Sequence, residues 1–201
     1  METFTKELQD STSPEAAIDR LKQGNKRFVA KENTSRDFLA QVDQTSGGQY
    51  PFAAILSCID SRVPAELVFD QGIGDVFNVR VAGNIVNEDV LGSLEYSCKV
   101  AGSKVIVVMG HTKCGAVTAA CNHVELGNIT HLLSKIKPAV DSVVKGEADP
   151  KTIEKVALKN IELSIEQIRS ESPILAEMED NGEIKIVGAV YDVSSGEVCF
   201  F

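Results

Sequence analysis

The sequence predicts an α/β fold: a mostly parallel central sheet, of about four parallel strands plus an antiparallel edge strand, flanked by helices. Three short runs of apolar, often β-branched residues occur in the central part of the chain, at 52–57, 76–81 and 104–109. Continuous apolar runs of this length are typical of strands covered on both faces. A helical pattern over 87–100 separates the second run from the third, and strands that alternate with helices favour parallel pairing through right-handed crossovers.

The residues before the first strand predict an N-terminal helical arm. Ser13 supplies a helix cap, and Pro14 suits the first helical turn. The polar stretch 33–49, which contains two consecutive glycines, predicts a connecting segment. The chain has 201 residues, an ordinary size for one domain. We therefore expect a single domain over 1–201, with the arm and connector at 1–50 and the α/β core at 51–201.

The chain after the third strand is predicted to be mostly helical and to end in two further strands. The helical patterns cover 114–121, 130–144 and 151–169, and the strands cover 184–191 and 198–201. A Ser-Ser-Gly turn separates the last two strands, so the final strand is expected to form the antiparallel edge.

The composition argues against nucleic-acid and membrane partners. Asp and Glu number 29 against 20 Lys and Arg, giving a net charge of −9, whereas phosphate contacts need clustered basic side chains. The chain has no apolar run of about 18 residues, the length of a membrane span, and its first residues lack the pattern of a secretory signal. We therefore expect a cytoplasmic protein. In a reducing compartment, the five cysteines at 58, 98, 114, 121 and 199 favour metal ligands or buried thiols over disulfides.

Two fragments at predicted strand ends supply three potential metal ligands. Cys58 follows the first strand, and His111 and Cys114 follow the third. The carboxyl ends of neighbouring parallel strands meet at one edge of a sheet, so these side chains are expected to lie close together. Two thiolates and an imidazole suit zinc, and three protein ligands leave one coordination position open. Taken singly, Cys58 would also suit a buried strand end, and His111 a helix cap.

A carboxylate and a guanidinium lie beside the first of these ligands. Asp60 and Arg62 are two residues apart in a predicted strand-to-helix loop that ends at Pro64. A surface ion pair of little energetic weight is one interpretation. The other is a two-pronged hydrogen bond that fixes the carboxylate and keeps it off the open metal position, where it can accept a hydrogen bond from water. The second interpretation is favoured because it explains why the pair lies next to the ligands.

The remaining cysteines and histidines receive non-catalytic interpretations. Cys98 lies on the apolar stripe of its predicted helix, and Cys121 and Cys199 have apolar neighbours, so all three are expected in the core. His123 and His131 fall in a polar region and are expected on the surface, although either could relay protons near neutral pH.

With these residues identified, the chain resembles the β-class carbonic anhydrases over almost its whole length. Four segments carry the resemblance: Cys-Ile-Asp-Ser-Arg-Val-Pro at 58–64, Arg-Val-Ala-Gly-Asn at 80–84, Glu-Tyr at 95–96 and Gly-His-Thr-Lys-Cys-Gly at 110–115. The resemblance implies that Cys58, His111 and Cys114 bind zinc (Zn²⁺) and that Asp60 and Arg62 form the catalytic dyad. It further implies reversible hydration of CO₂ to bicarbonate and a proton, through attack of a zinc-bound hydroxide.

The resemblance also implies a small substrate pocket and an oligomer. Gln49 matches a glutamine that hydrogen-bonds substrate in that family. The apolar lining would come from Phe77, Ala82 and Tyr96, and Gly115 would complete the substrate-binding residues. Family members are built from dimers in which pocket residues cross between subunits, so a homodimer or a dimer of dimers is expected.

Alternative functions remain open at this point. A related zinc hydrolase acting on a CO₂ analogue such as carbon disulfide would use the same residues behind a restricted entrance. A non-catalytic zinc-binding module would need a fourth protein ligand, for which Asp60 is the nearby candidate. A thiol redox protein is disfavoured because the sequence lacks the Cys-x-x-Cys pattern.

Overall fold

A computed structural model describes residues 3–201 and contains one five-stranded sheet. The strands are β1 (Ala53–Ser57), β2 (Val76–Arg80), β3 (Val105–His111), β4 (Lys185–Tyr191) and β5 (Val198–Phe200). Their order across the sheet is β2-β1-β3-β4-β5, with parallel pairing throughout except for the antiparallel pair β4–β5. The predicted fold class is therefore confirmed. The predicted arm includes Met1 and Glu2, which lie outside the described residues, and the division into arm and core stays a prediction.

The two central strands, β1 and β3, are buried at every position. Small and β-branched side chains fill them, as expected where helices cover both faces. In their parallel register, Ser57 lies opposite Met109. Both strands therefore end at the same edge of the sheet, and the loops that follow leave it side by side. By contrast, β2 is an edge strand and is only partly buried.

Ten α-helices surround the sheet within residues 3–201. They are α1 (Lys6–Ser11), α2 (Pro14–Ala30), α3 (Phe38–Thr45), α4 (Ala65–Val68), α5 (Glu88–Glu95), α6 (Gly115–Cys121), α7 (Gly127–Ser134), α8 (Lys137–Val143), α9 (Pro150–Glu171) and α10 (Pro173–Asp180). On one face of the sheet, α5, α9 and α10 pack over residues such as Leu56 and Ile106. On the other face, α2 and the loop around Phe69 pack over Ile55 and Val107.

The N-terminal arm follows the predicted caps and adds two helices. Ser13 caps α2 by accepting a hydrogen bond from the Ala16 backbone N–H, as predicted. The shorter α1 precedes it. The connecting segment predicted over 33–49 contains a helix, α3, that was not predicted. Asp37 caps that helix by accepting from the Ala40 N–H, a local signal that the polar composition obscured.

Several element boundaries also differ from the predictions. Strand β3 continues through Gly110 and ends at His111, so His111 is the last residue of the strand, whereas the predicted strand ended at Met109. The single helix predicted over 130–144 is two helices, α7 and α8, with Pro138 in the first turn of the second. The helix predicted over 87–100 ends in a π-helical turn at Tyr96–Val100, and α10 was not predicted.

A buried ion-pair cluster fastens the arm to the core. The Asp70 carboxylate is 2% exposed and accepts hydrogen bonds from Arg27, Arg36 and Thr34. Close packing accompanies these bonds. Gly24 of α2 lies so near the Phe69 carbonyl that a Cβ at this position would be 1.8 Å from its oxygen. The arm is therefore held against the loop after α4 by both ion pairs and close packing.

The burial of the remaining cysteine and histidine side chains tests the predictions made for them. Cys98 and Cys121 are buried, as predicted, whereas Cys199 is exposed, so its assignment to the core is wrong. It lies on β5, where alternate residues of an edge strand point to solvent. His123 and His131 are exposed, as predicted.

Within residues 3–201, no helix combines the length and apolar character that a bilayer span requires.

Candidate metal centre

Cys58, His111 and Cys114 come together at the carboxyl edge of the sheet. Cys58 directly follows β1, His111 ends β3, and Cys114 immediately precedes α6. One potential ligand atom from each residue lies within 4.8 Å of the other two, and all three residues are buried. The juxtaposition expected from strand order is therefore present, and it is the only such cluster of three or more His, Cys, Asp or Glu residues within the described range.

The imidazole of His111 is oriented so that one nitrogen faces the cluster. Its Nδ1 lies 2.9 Å from the Thr112 carbonyl oxygen, to which an Nδ1–H donates. In that tautomer the lone pair is on Nε2. Nε2 is buried, has no hydrogen-bond partner among residues 3–201, and lies 3.9 Å from Oδ2 of Asp60. A buried nitrogen in this position fits a metal ligand.

The two thiols cannot both ionise easily without a cation between them. A hydrogen bond from Cys114, together with His111 and the backbone N–H groups of Gly83 and Asp60, lowers the pKa of Cys58 to about 4. The resulting Cys58 thiolate, with burial, raises the pKa of Cys114. A divalent cation would compensate both negative charges. The donor set of two sulfurs and one nitrogen fits zinc, which Cys58, His111 and Cys114 would hold.

The carboxylate of Asp60 is fixed by three hydrogen bonds from Arg62. The side chain donates from Nε to Oδ1 at 2.9 Å and from Nη2 to Oδ2 at 2.8 Å, and the backbone N–H donates to Oδ1 at 3.0 Å. These contacts hold the pKa of Asp60 well below its usual range. The predicted two-pronged contact is thus present, and Asp60 is an ionised hydrogen-bond acceptor next to the cluster.

Arg80 fixes the same loop from a neighbouring strand. Its guanidinium donates from Nε to the Cys58 carbonyl at 3.0 Å and from Nη2 to the Asp60 carbonyl at 2.6 Å. Arg80 begins the Arg-Val-Ala-Gly-Asn segment at 80–84, but no role was predicted for its side chain. The strand register could have indicated this role, because Arg80 ends β2 directly opposite Ser57, the residue before Cys58.

A tight turn supplies a backbone donor to one thiol. Ala82, Gly83 and Asn84 form a 3₁₀ turn after β2, and the Gly83 N–H donates to Sγ of Cys58 at 3.3 Å. Gly83 has φ of 69°, in the left-handed region, and a Cβ there would lie 2.6 Å from Cδ1 of Ile136. Glycine therefore meets both requirements of this position, backbone conformation and space.

Three of the residues predicted to bind substrate, Gln49, Phe77 and Tyr96, line cavities away from the candidate ligands. Phe77 and Tyr96 meet edge to face, with ring centroids 6.1 Å apart, and line an open cavity of about 760 Å³. Gln49 lines a different surface cavity, of about 480 Å³. Neither lining includes a metal ligand. Ala82 adjoins Gly83 in the tight turn, and Gly115 is exposed at the start of α6.

Comparison with known proteins identifies the family. A family model described as carbonic anhydrase matches residues 53–198, which contain all three ligands and the Asp60–Arg62 pair. Carbonic anhydrase 2 of Mycobacterium tuberculosis is 36% identical over 194 residues, covering 92% of this chain and 92% of that protein. The chain belongs to the β-carbonic anhydrase family. A carbonic anhydrase of Mycolicibacterium smegmatis is 33% identical, with 94% of this chain and 93% of that protein covered.

Solved β-carbonic anhydrases share the fold. The enzyme of Coccomyxa, solved with acetazolamide, superposes with a TM-score of 0.70 at 24% identity, covering 90% of this chain and 80% of that one. A tetrameric β-carbonic anhydrase of Sordaria macrospora gives a TM-score of 0.70 at 23% identity, covering 81% and 89%. The Cys58–His111–Cys114 cluster is thus the candidate metal centre of a β-carbonic anhydrase, and the chain belongs to a lyase family.

Proposed function

We propose that this protein is a zinc-dependent carbonic anhydrase that catalyses reversible hydration of CO₂ to bicarbonate and a proton. One observation carries the proposal: a buried Cys₂His cluster lies beside a carboxylate that a guanidinium holds in place. Three ligands leave zinc a position for water, as catalytic zinc sites require. Family membership supports CO₂ as the substrate.

The dyad orients the nucleophile in this proposal. Bound zinc would supply Lewis-acid chemistry that acidifies water, so that hydroxide forms at a lower pH than it does in bulk water. Asp60, as an ionised acceptor beside the cluster, would accept a hydrogen bond from the attacking water and so orient its lone pair toward CO₂. Arg62 keeps Asp60 ionised and turned to this position. The pair therefore acts by positioning a hydrogen bond.

The non-catalytic alternative requires Asp60 to be a permanent fourth ligand. Both of its carboxylate oxygens are instead engaged by Arg62, and Arg80 holds its backbone carbonyl. This arrangement supports an open coordination position. The carbon disulfide alternative uses the same residues, and a substrate panel that includes CO₂ and carbon disulfide separates the two activities.

We propose that a second subunit completes the substrate pocket. Gln49, Phe77, Ala82, Tyr96 and Gly115 are its proposed residues, yet Gln49 and the Phe77–Tyr96 pair line cavities apart from the ligands. The cavity of the aromatic pair runs along β2, whose outer edge is unpaired in the described chain. Exposed strand edges are sites of pairing with other chains. A homodimer, or a dimer of dimers, is the proposed assembly.

The central experiment is stopped-flow CO₂ hydration combined with metal analysis. We expect about one zinc per chain, activity that disappears when a chelator removes it, and recovery when Zn²⁺ is added back. Retention of full activity by metal-free protein would refute the proposal. Absence of CO₂ hydration by zinc-loaded protein, with turnover of carbon disulfide, would favour the alternative.

A complementation experiment tests the shared pocket. Asp60→Asn damages the dyad but keeps Gln49, whereas Gln49→Ala keeps the dyad. If each site combines residues of two subunits, coexpression of the two inactive variants restores up to about a quarter of the sites, through mixed two-fold dimers. Activity no higher than that of the separate variants would contradict a pocket shared in this way.

The proposed compartment is the cytoplasm. Metal binding needs Cys58 and Cys114 as free thiolates, and reducing compartments keep thiols free. Fractionation of the source cells with detection of the chain in each fraction tests the location.

A further inference from the structure

The Gly83 turn presents a backbone N–H to the Cys58 sulfur at 3.3 Å. The bond that closes the turn joins the Asn84 N–H to the Val81 carbonyl at 2.9 Å and involves neither the N–H nor the carbonyl oxygen of Gly83. Gly83 has no side chain, and glycine has access to more backbone conformations than any other residue, so the direction of its N–H also depends on groups outside the turn. A small rotation of this backbone would turn the N–H away from the sulfur.

The long helix α9 supplies such a group. Asn160, which is 3% exposed, donates from Nδ2 to the Gly83 carbonyl oxygen at 2.8 Å. One helical turn later, Ser164 donates to the Asn84 carbonyl at 3.4 Å. Asn160 is polar on the buried face of α9, next to Ile161, and a buried amide is unfavourable unless it is hydrogen-bonded. The 2.8 Å bond to the Gly83 carbonyl satisfies this buried amide.

We propose that Asn160 is a positioning residue for the metal centre. By holding the Gly83 carbonyl, it keeps the Gly83 N–H directed at Cys58 Sγ and so reduces the charge that this thiolate donates to a bound metal. The proposal rests on the proposed function only in that Cys58 is a metal ligand. It assigns a role in metal binding to a helix that contributes no ligand.

The physical reason is that a hydrogen bond to a thiolate competes with the metal for the sulfur's electrons. Donors to an ionised acceptor are stronger than neutral ones, and groups that orient a ligand change metal affinity by about 10- to 100-fold when they are lost. A thiolate without its N–H donor is easier to oxidise. Its charge-transfer absorption to a bound Co²⁺ then moves to lower energy.

The test uses Asn160→Leu, which has nearly the same shape but cannot donate. The full-length protein is loaded with Co²⁺ for absorption spectra and with Zn²⁺ for competition against a chelator of known affinity. We expect the sulfur-to-cobalt band of Asn160→Leu to shift to lower energy, because the thiolate loses its N–H donor. We expect its Zn²⁺ dissociation constant to rise about tenfold, because the loss of a fixed ligand orientation outweighs the stronger donation by the freed thiolate. Asn160→Ser, smaller and still polar, provides the same two readouts if the leucine variant does not fold.

Ser164→Ala is the matched control. It removes a hydrogen bond from the same helix to the next carbonyl of the same turn, and we expect its cobalt band and Zn²⁺ affinity to match the wild type. An Asn160 variant that folds, with wild-type cobalt band and Zn²⁺ affinity, would overturn the proposal. Equal shifts in Ser164→Ala would overturn it as well. Failure of the wild type to bind either metal would refute the proposed function instead.

Discussion

Arg62 donates two side-chain hydrogen bonds to Asp60, one to each carboxylate oxygen, at 2.9 and 2.8 Å. Oδ2 of the same carboxylate lies 3.9 Å from Nε2 of His111. The acid group is thus fixed by its partner within reach of the metal ligands, without being bound by them. Arg62 also reaches the carbonyl of Lys113, at 3.4 Å, and so bridges the two loops that carry the ligands.

Asp60→Asn is expected to lose about 100-fold in kcat while it retains zinc, since misplacing a reacting group by about 1 Å can cost about this much. The amide presents a donor where the carboxylate presented an acceptor, and the water loses its orientation. Stopped-flow hydration with zinc analysis of the same sample measures both quantities. Near-normal turnover would remove the dyad from the mechanism.

Arg62→Ala is expected to lose activity to a similar extent, because the freed carboxylate can turn toward the open metal position. The double variant Asp60→Asn with Arg62→Ala should then be no slower than Asp60→Asn alone, since the two residues act as one unit. Multiplicative losses would show that Arg62 acts independently of Asp60. Asp141→Asn, in an exposed pair with Lys137, serves as the control for loss of a surface carboxylate.

Hydration activity is expected to rise toward alkaline pH. Two thiolates cancel the charge of Zn²⁺, so the metal acidifies water less than it would with three neutral imidazoles. Asp60 does not produce this rise, because its lowered pKa keeps it ionised at neutral and alkaline pH. The measurement is kcat/KM against pH, and a profile that is flat from about pH 6 to 9 would contradict the expectation.

Asp70→Asn is expected to destabilise the fold at neutral pH by on the order of 3 kcal/mol, because it leaves buried arginine charge without its partner. Burial raises the pKa of Asp70, but hydrogen bonds from Arg36, Arg27 and Thr34 outweigh it and lower the pKa overall. A lowered native pKa gives stability that is complete above the unfolded value, about 3.9, and is lost as the pH falls through the native value.

The destabilisation by Asp70→Asn should therefore be constant from about pH 7 to 5 and shrink below about pH 4. Urea unfolding at a series of pH values measures it. Asp141→Asn removes an exposed i,i+4 pair and should change stability by about 0.5 kcal/mol or less. A difference between wild type and Asp70→Asn that grows on acidification would contradict the assigned direction of the pKa.

Gly24→Ala is expected to cost about 3 kcal/mol or more, although alanine favours helices by about 1 kcal/mol. The added Cβ would lie 1.8 Å from the Phe69 carbonyl oxygen, so α2 would have to move away from the core. Gly47→Ala is the control, since no heavy atom lies within 4 Å of a Cβ there. Thermal unfolding of both variants makes the comparison, and equal melting temperatures would contradict the close packing of α2.

The sheet and the clustering of Cys58, His111 and Cys114 were predictable because their signals are strong and local. Apolar runs marked β1, β2 and β3, and parallel pairing placed Cys58 and His111 at one edge. The pairing of Asp60 with Arg62 followed from a separation of two residues, which lets one loop hold both groups.

The less regular elements and the supporting contacts were not predictable in the same way. The sequence signal of α3 is weak, since the helix has a single cap and a mixed composition. The exposure of Cys199 is set by which face of β5 meets solvent, and the sequence does not specify that face. Asn160 reaches Gly83 across 77 positions of sequence. Such a contact leaves no periodic pattern, because it is created when α9 packs against the turn.

β1 and β3 lie side by side at the centre of the sheet, and the candidate ligands lie at the end of β3 and in the loops that leave the two strands. In an unfolded chain Cys58 is 53 residues from His111, so it cannot enclose an ion together with His111 and Cys114. Tight metal uptake therefore requires that the two central strands have already met in register. The metal content of a preparation becomes a measure of how many molecules have assembled this part of the sheet, and a chelator titration reports on folding as directly as on chemistry.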